Sequence, residues 1–222
     1  NSRSVVVHDL NGDAFPDFVL VNLHSSRAAR FNPLFTNLQA RKLKFQQSTQ
    51  GTVLLLSTKS QVFKEDADSK ISMSGSGYGC TLGEVTNDFQ PYLYVTNGHY
   101  SSDTEIDMED YEWRRFFLYQ EALEKKFLSL EPSGYFFNKY RRLLNFSQRE
   151  RYQEHQDILP LQLSLMGHTY NSLFHLKLKD SEERAFFSGL NSKEDSRAVV
   201  WADFDQDGDL DMILRTLHDI KL

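Results

Sequence analysis

Short apolar segments alternate with polar turns over much of the chain. Each segment is three to five residues long, rich in β-branched or aromatic side chains, and bounded by Asp, Asn or Gly, which is the pattern of β-strands. These segments span residues 5–7, 18–21, 52–56, 93–95, 198–201 and 212–214. Many short strands with frequent turns predict an all-β fold, and the pattern leaves a β-propeller and a β-sandwich open.

The segment 101–160 has a different composition, with many Glu, Arg, Gln, Tyr and Phe residues and few β-branched ones. Its apolar residues from Trp113 to Leu130 recur at steps of three and four, which predicts an amphipathic helix. A second helix is expected from about Asn138 to His155. We therefore divide the chain into a β region at 1–100, a helical insertion at 101–160 and a second β region at 161–222.

The two β regions contain a repeated motif. Residues 2–9 match residues 196–203, and the match continues without a gap through DLNGDAFPDFVL and DFDQDGDLDMIL, at a constant offset of 194 residues. A weaker third copy, EVTNDFQPYLYV, spans 84–95, and an N-x-L-F motif occurs at both 32–35 and 171–174. Similarity at fixed offsets indicates a unit of sheet structure that recurs along the chain.

The two stronger copies share an acidic loop of the form D-x-[DN]-x-D-x-x-x-D. In a tight turn, side-chain oxygens at positions 1, 3 and 5 converge, position 7 adds a backbone carbonyl, and the carboxylate at position 9 closes the shell. Such an all-oxygen set favours Ca²⁺ over Zn²⁺ or Cu²⁺, and Mg²⁺ prefers to keep its waters. The predicted ligands are Asp9, Asn11, Asp13, Phe15 and Asp17 in the first loop and Asp203, Asp205, Asp207, Asp209 and Asp211 in the second.

These loops are not EF-hands, because position 12 is Leu20 or Leu214 rather than Glu, and both leucines fall in predicted strands. A metal-free Asp-rich turn is the alternative, since Asp and Asn favour turns. Without a cation, however, clustered carboxylates would raise one another's pKa. The loop from Glu84 has Tyr92 at position 9, so we expect it to have lost a ligand.

The turns differ in where their glycine lies. The second loop has Gly208 at position 6, where a sharp turn needs a positive φ. The first loop has Ala14 at that position and its glycine at Gly12. We therefore expect more strain in the first turn.

Together these motifs resemble a known family. The acidic loop followed by an apolar strand resembles the FG-GAP (VCBS) repeat of integrin-α-type β-propellers. The stretches S-R-x-V-V-W-x-D-F-D-Q-D-G-D-L-D, L-Y-V-T-N-G-H and N-x-L-F resemble more narrowly the group of UnbV and cartilage acidic protein. The resemblance covers about 1–100 and 168–216. It implies a seven-bladed propeller with Ca²⁺ in its turns, secreted, on the cell surface or periplasmic, that binds a protein or glycan partner. Since three units are visible, we expect the rest of the ring outside this chain or in degenerate blades.

Charge and motif content narrow the function classes. The chain has 25 Lys and Arg against 31 Asp and Glu, a net charge of −6, which argues against a nucleic-acid partner. No apolar run approaches the roughly 18 residues that a membrane-spanning helix needs. There is no H-x-x-x-H pair, G-x-S-x-G elbow or P-loop, and the single cysteine, Cys80, is expected to be a buried structural thiol. We therefore expect a binding or adhesion module rather than an enzyme. The alternative is a calcium-dependent hydrolase or lyase on a propeller scaffold.

Overall fold

The computed structural model describes residues 2–25, 49–58, 62–66, 70–85, 90–102, 107, 109, 164–177 and 180–221. The predicted helical insertion lies outside the described residues except at positions 101, 102, 107 and 109, and the N-x-L-F motif at 32–35 lies outside them as well. The described part of the chain is mostly β, as the sequence predicts.

The first sheet contains four antiparallel strands in chain order. They are β1 (Ser4–His8), β2 (Asp17–Val21), β3 (Val53–Leu56) and β4 (Lys64–Asp66). In the register of β1 and β2, Val6 lies opposite Val19 and His8 opposite Asp17. Each strand pairs with the next along the chain, so the sheet is a simple meander.

The second sheet repeats this four-stranded meander. Its strands are β5 (Gly79–Gly83), β6 (Tyr92–Thr96), β7 (Ser172–His175) and β8 (Glu182–Glu183). Pairing of Leu93 with Phe174 joins β6 to β7, so the N-x-L-F motif at 171–174 supplies the third strand. The predicted insertion therefore falls in the connection between the second and third strands of this sheet. A 3₁₀ turn (Lys70–Met73) precedes the sheet and a short helix, α1 (Ala185–Ser188), follows it.

The third sheet has three antiparallel strands in the described residues. They are β9 (Ser196–Ala202), β10 (Asp211–Thr216) and β11 (Ile220–Lys221). Met212 lies opposite Trp201, and the register shifts between Arg215 and Thr216. The hairpin of β9 and β10 has the same strand–loop–strand form as the hairpin of β1 and β2, which lies 194 residues earlier in the chain.

The three sheets are stacked, with the second sheet in the middle. Strand β1 contacts β5, and β5 contacts β9 on its other side. Strand β6 is buried along its whole length. Leu93 and Val95 belong to a hydrophobic core shared with the first sheet, whereas Tyr92 and Tyr94 belong to a second core shared with the third sheet. Both faces of the middle sheet are therefore covered by apolar side chains.

Candidate metal centre

Both acidic loops are hairpin turns at the same end of their sheets. The first connects β1 to β2 and the second connects β9 to β10. The carboxylate at position 9 is the first residue of the second strand in each hairpin: Asp17 lies opposite His8, and Asp211 lies opposite Ala202. The strand pairing thus brings the end of each loop back beside its beginning.

The second loop gathers three carboxylates. Asp203, Asp205 and Asp211 each place one oxygen within 4.8 Å of the others. Two oxygens that bind one Ca²⁺ at about 2.3–2.6 Å lie at most about 5 Å apart, so this spacing suits one hard cation. The first two carboxylates are exposed and Asp211 is half-buried. The arrangement can hold a metal ion.

Backbone N–H groups hold these carboxylates in place. Asp203 accepts hydrogen bonds from the N–H groups of Asp207 (3.1 Å) and Gly208 (3.0 Å). Asp205 Oδ1 accepts one from Asp207 (3.2 Å), and Asp211 Oδ2 accepts one from Phe204 (3.0 Å). The turn is therefore ordered by its own amides, and the remaining oxygen lone pairs can face a cation.

The first loop has the same internal hydrogen bonds. Asp9 accepts from the N–H groups of Asp13 (3.1 Å) and Ala14 (2.8 Å), and Asn11 Oδ1 accepts from Asp13 (2.9 Å). Asp17 Oδ2 accepts from Leu10 (2.8 Å). Asn11 occupies the position of Asp205, so an amide oxygen stands where the second loop has a carboxylate.

The remaining predicted ligands lie in the same turns. Asp13 Oδ1 accepts a 2.9 Å hydrogen bond from the N–H of Phe15, and Asp207 Oδ1 accepts the equivalent 2.9 Å bond from Asp209. In the second loop, Asp207 and Asp209 lie outside the group of three carboxylates. In the second loop, the structure thus brings together the side-chain oxygens at positions 1, 3 and 9, and the first loop shows no such group of carboxylates among the described residues.

Asp9 is ionised readily. Desolvation raises the pKa of its carboxyl, but hydrogen bonds from the backbone N–H groups of Ala14, Gly12, Asp13 and Asn11 lower it, and the pKa lies below its usual value. Each of these hydrogen bonds stabilises the charged form. The backbone of the first loop therefore favours the charged form of Asp9.

Both loops use left-handed backbone at positions 4 and 6. In the first loop these are Gly12 (φ 73°) and Ala14 (φ 67°), and in the second they are Gln206 (φ 64°) and Gly208 (φ 98°). Each loop thus has one glycine and one strained residue, at exchanged positions. The extra strain expected for the first loop is matched by Gln206 in the second.

Asp17 has a contact that the sequence did not reveal. It is fully buried, and its Oδ1 accepts a 2.7 Å hydrogen bond from the N–H of Ser57, just after β3. No local pattern signals this contact, because the two residues are 40 positions apart. Asp17 consequently links the loop to the sheet.

The third loop is only partly described. Positions 86–89 lie outside the described residues, so Thr86 and Asp88 are not placed. Tyr92, at the position of the closing carboxylate, is 8% exposed and stacks on His175 with ring centroids 4.7 Å apart. Its side chain serves the core shared by the second and third sheets.

Comparisons of the chain with protein-family models, with curated proteins and with solved structures find no match in any of the three. The resemblance to FG-GAP repeats therefore rests on the sequence motifs. Among the helices in the described part of the chain, none has both the length and the apolar composition that crossing a membrane requires.

Proposed function

We propose that this chain is a calcium-stabilised part of a β-propeller that serves as an extracellular, cell-surface or periplasmic binding module. The group of Asp203, Asp205 and Asp211 carries this proposal. Three carboxylate oxygens close enough to share one ion form a hard site, and hard sites select Ca²⁺ or Mg²⁺ over softer metals. The exposed and irregular loop suits Ca²⁺, which tolerates variable geometry, better than Mg²⁺.

Calcium in such a site would stabilise the fold. The carboxylates repel one another when no cation is present, and a ligand that binds only the folded chain adds to its stability by mass action. Extracellular calcium modules typically bind in the range of about 10⁻⁴–10⁻³ M, which matches the calcium concentration outside cells. The localisation we propose rests on the sequence resemblance, and a site with such an affinity would be occupied by calcium there.

The stacking of the sheets favours a propeller over a sandwich, because a sandwich has two sheets and this chain has three in series. Neighbouring sheets contact each other through opposite faces of their equivalent strands. Val6 of β1 packs towards the second sheet, as do Val199 and Trp201 of β9 from the other side. In the lead strand of a unit, the residues equivalent to Val5 and Val7 therefore face the preceding sheet, and the residue equivalent to Val6 faces the following sheet.

The outer faces of the stack fit the same series. Val5 and Val7 are 53% and 52% exposed, although their counterparts Val199 and Trp201 are packed against the second sheet. Val200 is 48% exposed, although its counterpart Val6 is packed. The outer face of the first sheet thus exposes apolar residues whose counterparts in the third sheet are packed, and the outer face of the third sheet exposes a residue whose counterpart in the first sheet is packed. Further sheets of the same kind would cover both faces in a closed propeller.

A binding role agrees with the environment of Cys80, the one cysteine of the chain. Burial raises the pKa of the Cys80 thiol, and its Sγ lies 3.4 Å from Ser4 Oγ within the core shared with the first sheet. A protonated and partly buried thiol is a poor nucleophile. The alternative is a calcium-dependent hydrolase or lyase, which would convert a bound substrate instead of retaining it.

Metal analysis and thermal unfolding test the calcium proposal. We expect the purified chain to bind calcium, and EDTA to lower its melting temperature, with calcium restoring it more effectively than equimolar magnesium. Asp203→Asn should reduce the calcium-dependent shift, while Asp180→Asn, which removes an equally charged exposed carboxylate, should leave it intact. Equal melting temperatures in calcium and EDTA would contradict the proposal.

The binding role has its own test. We expect the chain to retain a protein or glycan in calcium and to release it in EDTA, and the Asp203→Asn variant to retain less. A glycan array and a panel of extracellular matrix proteins supply defined probes. Calcium-dependent turnover of a glycan on the same array, instead of retention, would favour the hydrolase or lyase alternative.

A further inference from the structure

A second cluster of polar side chains lies at the end of the sheets opposite to the acidic loops. Arg3 directly precedes β1, Tyr78 directly precedes β5, and Arg197 is the second residue of β9. The acidic loops follow the other ends of β1 and β9. Arg3 and Arg197 are equivalent in the 194-residue repeat, and Tyr78 is 75 residues after Arg3, the same offset as between the loops at Asp9 and Glu84. Equivalent positions of three stacked sheets thus converge.

The two arginines share one aromatic ring. The Cζ atoms of Arg3 and Arg197 lie 4.0 Å and 4.2 Å from the centre of the Tyr78 ring. Both guanidinium groups therefore make cation–π contacts with it and are at most about 8 Å apart. His99 completes the cluster, because Tyr78 Oη and His99 Nδ1 share a hydrogen bond. A neutral ring orders two positive charges here.

The two guanidinium groups differ in how firmly they are held. Arg197 donates hydrogen bonds to the carbonyl oxygens of Gly98 (2.7 Å), Ser196 (3.1 Å) and His99. Arg3 is exposed and makes one longer bond of 3.4 Å, to Gly77 O. Arg197 is thus fixed in position, whereas most N–H groups of Arg3 remain available to a ligand.

Within the described part of the chain, neither arginine forms a salt bridge. The nearby acid is Asp195, which is 5% exposed, and both of its oxygens accept hydrogen bonds from Ser101. Its carboxylate is therefore directed at Ser101 and not at a guanidinium. Two like charges held on one aromatic ring repel each other, and an anion bound at the edge of that ring would offset part of the repulsion.

The state of His99 agrees with an excess of positive charge. Burial lowers the pKa of its imidazole, and the charges of Arg3 and Arg197 lower it further, while Asp195 opposes them. The imidazole is therefore neutral near neutral pH. Two cations, a neutral imidazole and a phenol face one another at this end of the molecule.

We propose that Arg3 and Arg197, held by Tyr78 and His99, form a binding site for an oxyanion, namely a carboxylate or phosphate group of a ligand. The planar guanidinium group matches both anions with parallel N–H donors, and a hydrogen bond between charged groups is about twice as strong as a neutral one. Arg197 supplies a preordered donor and Arg3 closes on the anion from the solvent side. The site lies at the opposite end from the calcium loops and does not depend on them.

An NMR titration of the whole chain tests this site. Inorganic phosphate and acetate are added in separate experiments at constant calcium, pH and ionic strength, and the His99 imidazole and arginine Nε signals are followed. We expect saturable shifts, with the tighter of the two anions identifying the preferred group. Arg3→Gln should weaken binding of that anion about tenfold, as expected for the loss of one charge-assisted contact.

Two further variants make the result specific. Arg184→Gln removes an exposed arginine that pairs with Glu182 and should leave anion binding unchanged. Arg3→Lys keeps the charge but lacks the planar fork, so it should bind with intermediate affinity. Shifts that do not saturate would overturn the proposal. So would an Arg3→Gln variant that melts earlier but binds phosphate and acetate like the wild type, because the stacked arginines would then serve only to join the sheets.

Discussion

The backbone N–H of Ser57 donates a hydrogen bond to Asp17 Oδ1 over 2.7 Å, and so ties the first acidic loop to the end of β3. The other oxygen of Asp17 accepts a hydrogen bond from Leu10. Its counterpart in the second loop, Asp211, is half-buried and accepts a hydrogen bond from Phe204. Equivalent carboxylates of the two repeats therefore have different degrees of structural importance.

Replacing these two carboxylates should separate structure from metal binding. Asp17→Asn should lower the free energy of unfolding by about 1.5–3 kcal/mol, with or without calcium, because it weakens buried hydrogen bonds to a charged group. Asp211→Asn should have a much smaller effect in EDTA and a clear effect in calcium. Urea unfolding in both buffers measures the difference. Equal losses for the two variants in EDTA would contradict this assignment.

The exchanged glycines of the two loops lead to a second prediction. Ala14→Gly and Gln206→Gly should each raise the free energy of unfolding by about 1 kcal/mol, because a side chain in left-handed backbone costs about 1–2 kcal/mol and glycine avoids that cost. Gly12→Ala and Gly208→Ala should have the opposite effect. No heavy atom lies within 4 Å of a Cβ built at Gly12 or Gly208, so these changes test the backbone conformation and not a steric clash.

His99 should make stability depend on pH. Its pKa in the folded chain is below the ordinary value of 6.5, because of burial and of Arg3 and Arg197, with Asp195 acting in the other direction. The unfolded chain therefore binds more protons just below pH 6.5, and stability should fall as the pH drops through that range. Urea unfolding as a function of pH measures this slope.

Two variants assign the slope to this histidine. His99→Gln should flatten the pH dependence below 6.5, since the titrating group is absent. Arg3→Gln should raise the pKa of His99, because it removes a nearby positive charge, and NMR titration of the imidazole measures that shift. An unchanged or lower pKa in Arg3→Gln would show that the arginine does not act on His99.

The junction between the second and third sheets is closely packed at Gly83. A Cβ added there would lie 2.2 Å from Cε3 of Trp201, whose ring contacts Tyr94 with centroids 6.2 Å apart. Gly83→Ala should therefore lower the free energy of unfolding by about 1–3 kcal/mol, the usual range for overpacking. Thermal melting measures the loss. Combining it with Trp201→Phe should recover part of the stability, and failure to do so would place the cost in the backbone of β5 instead.

The strands that were predictable are those with apolar patterns. Residues 5–7, 18–21, 93–95, 198–201 and 212–214 all fall within strands, because β-branched and aromatic residues bounded by turn residues mark a buried sheet. The two-residue strands β8 and β11 were not predictable. Glu182–Glu183 and Ile220–Lys221 pair at sheet edges, where exposure removes the hydrophobic pattern.

The candidate metal centre was predictable to a similar degree. The spacing predicted five ligands in the second loop, and the structure brings the side-chain oxygens of three of them together, Asp203, Asp205 and Asp211. The hydrogen bond from Ser57 to Asp17 and the stacking of Arg3 and Arg197 on Tyr78 join residues far apart in the chain. The 194-residue offset places the two arginines at equivalent positions in the sequence. That Tyr78 lies between them depends on how the sheets pack.

The head-to-tail faces of the stack also bear on how such a molecule can evolve. One face of a duplicated sheet unit would fit the sheet from which it was copied, and its other face would fit a further copy. A further copy could then be added at an outer face without altering the interfaces between the described sheets. Val5 and Val200, at the two ends of the stack, mark the surfaces where that growth would take place.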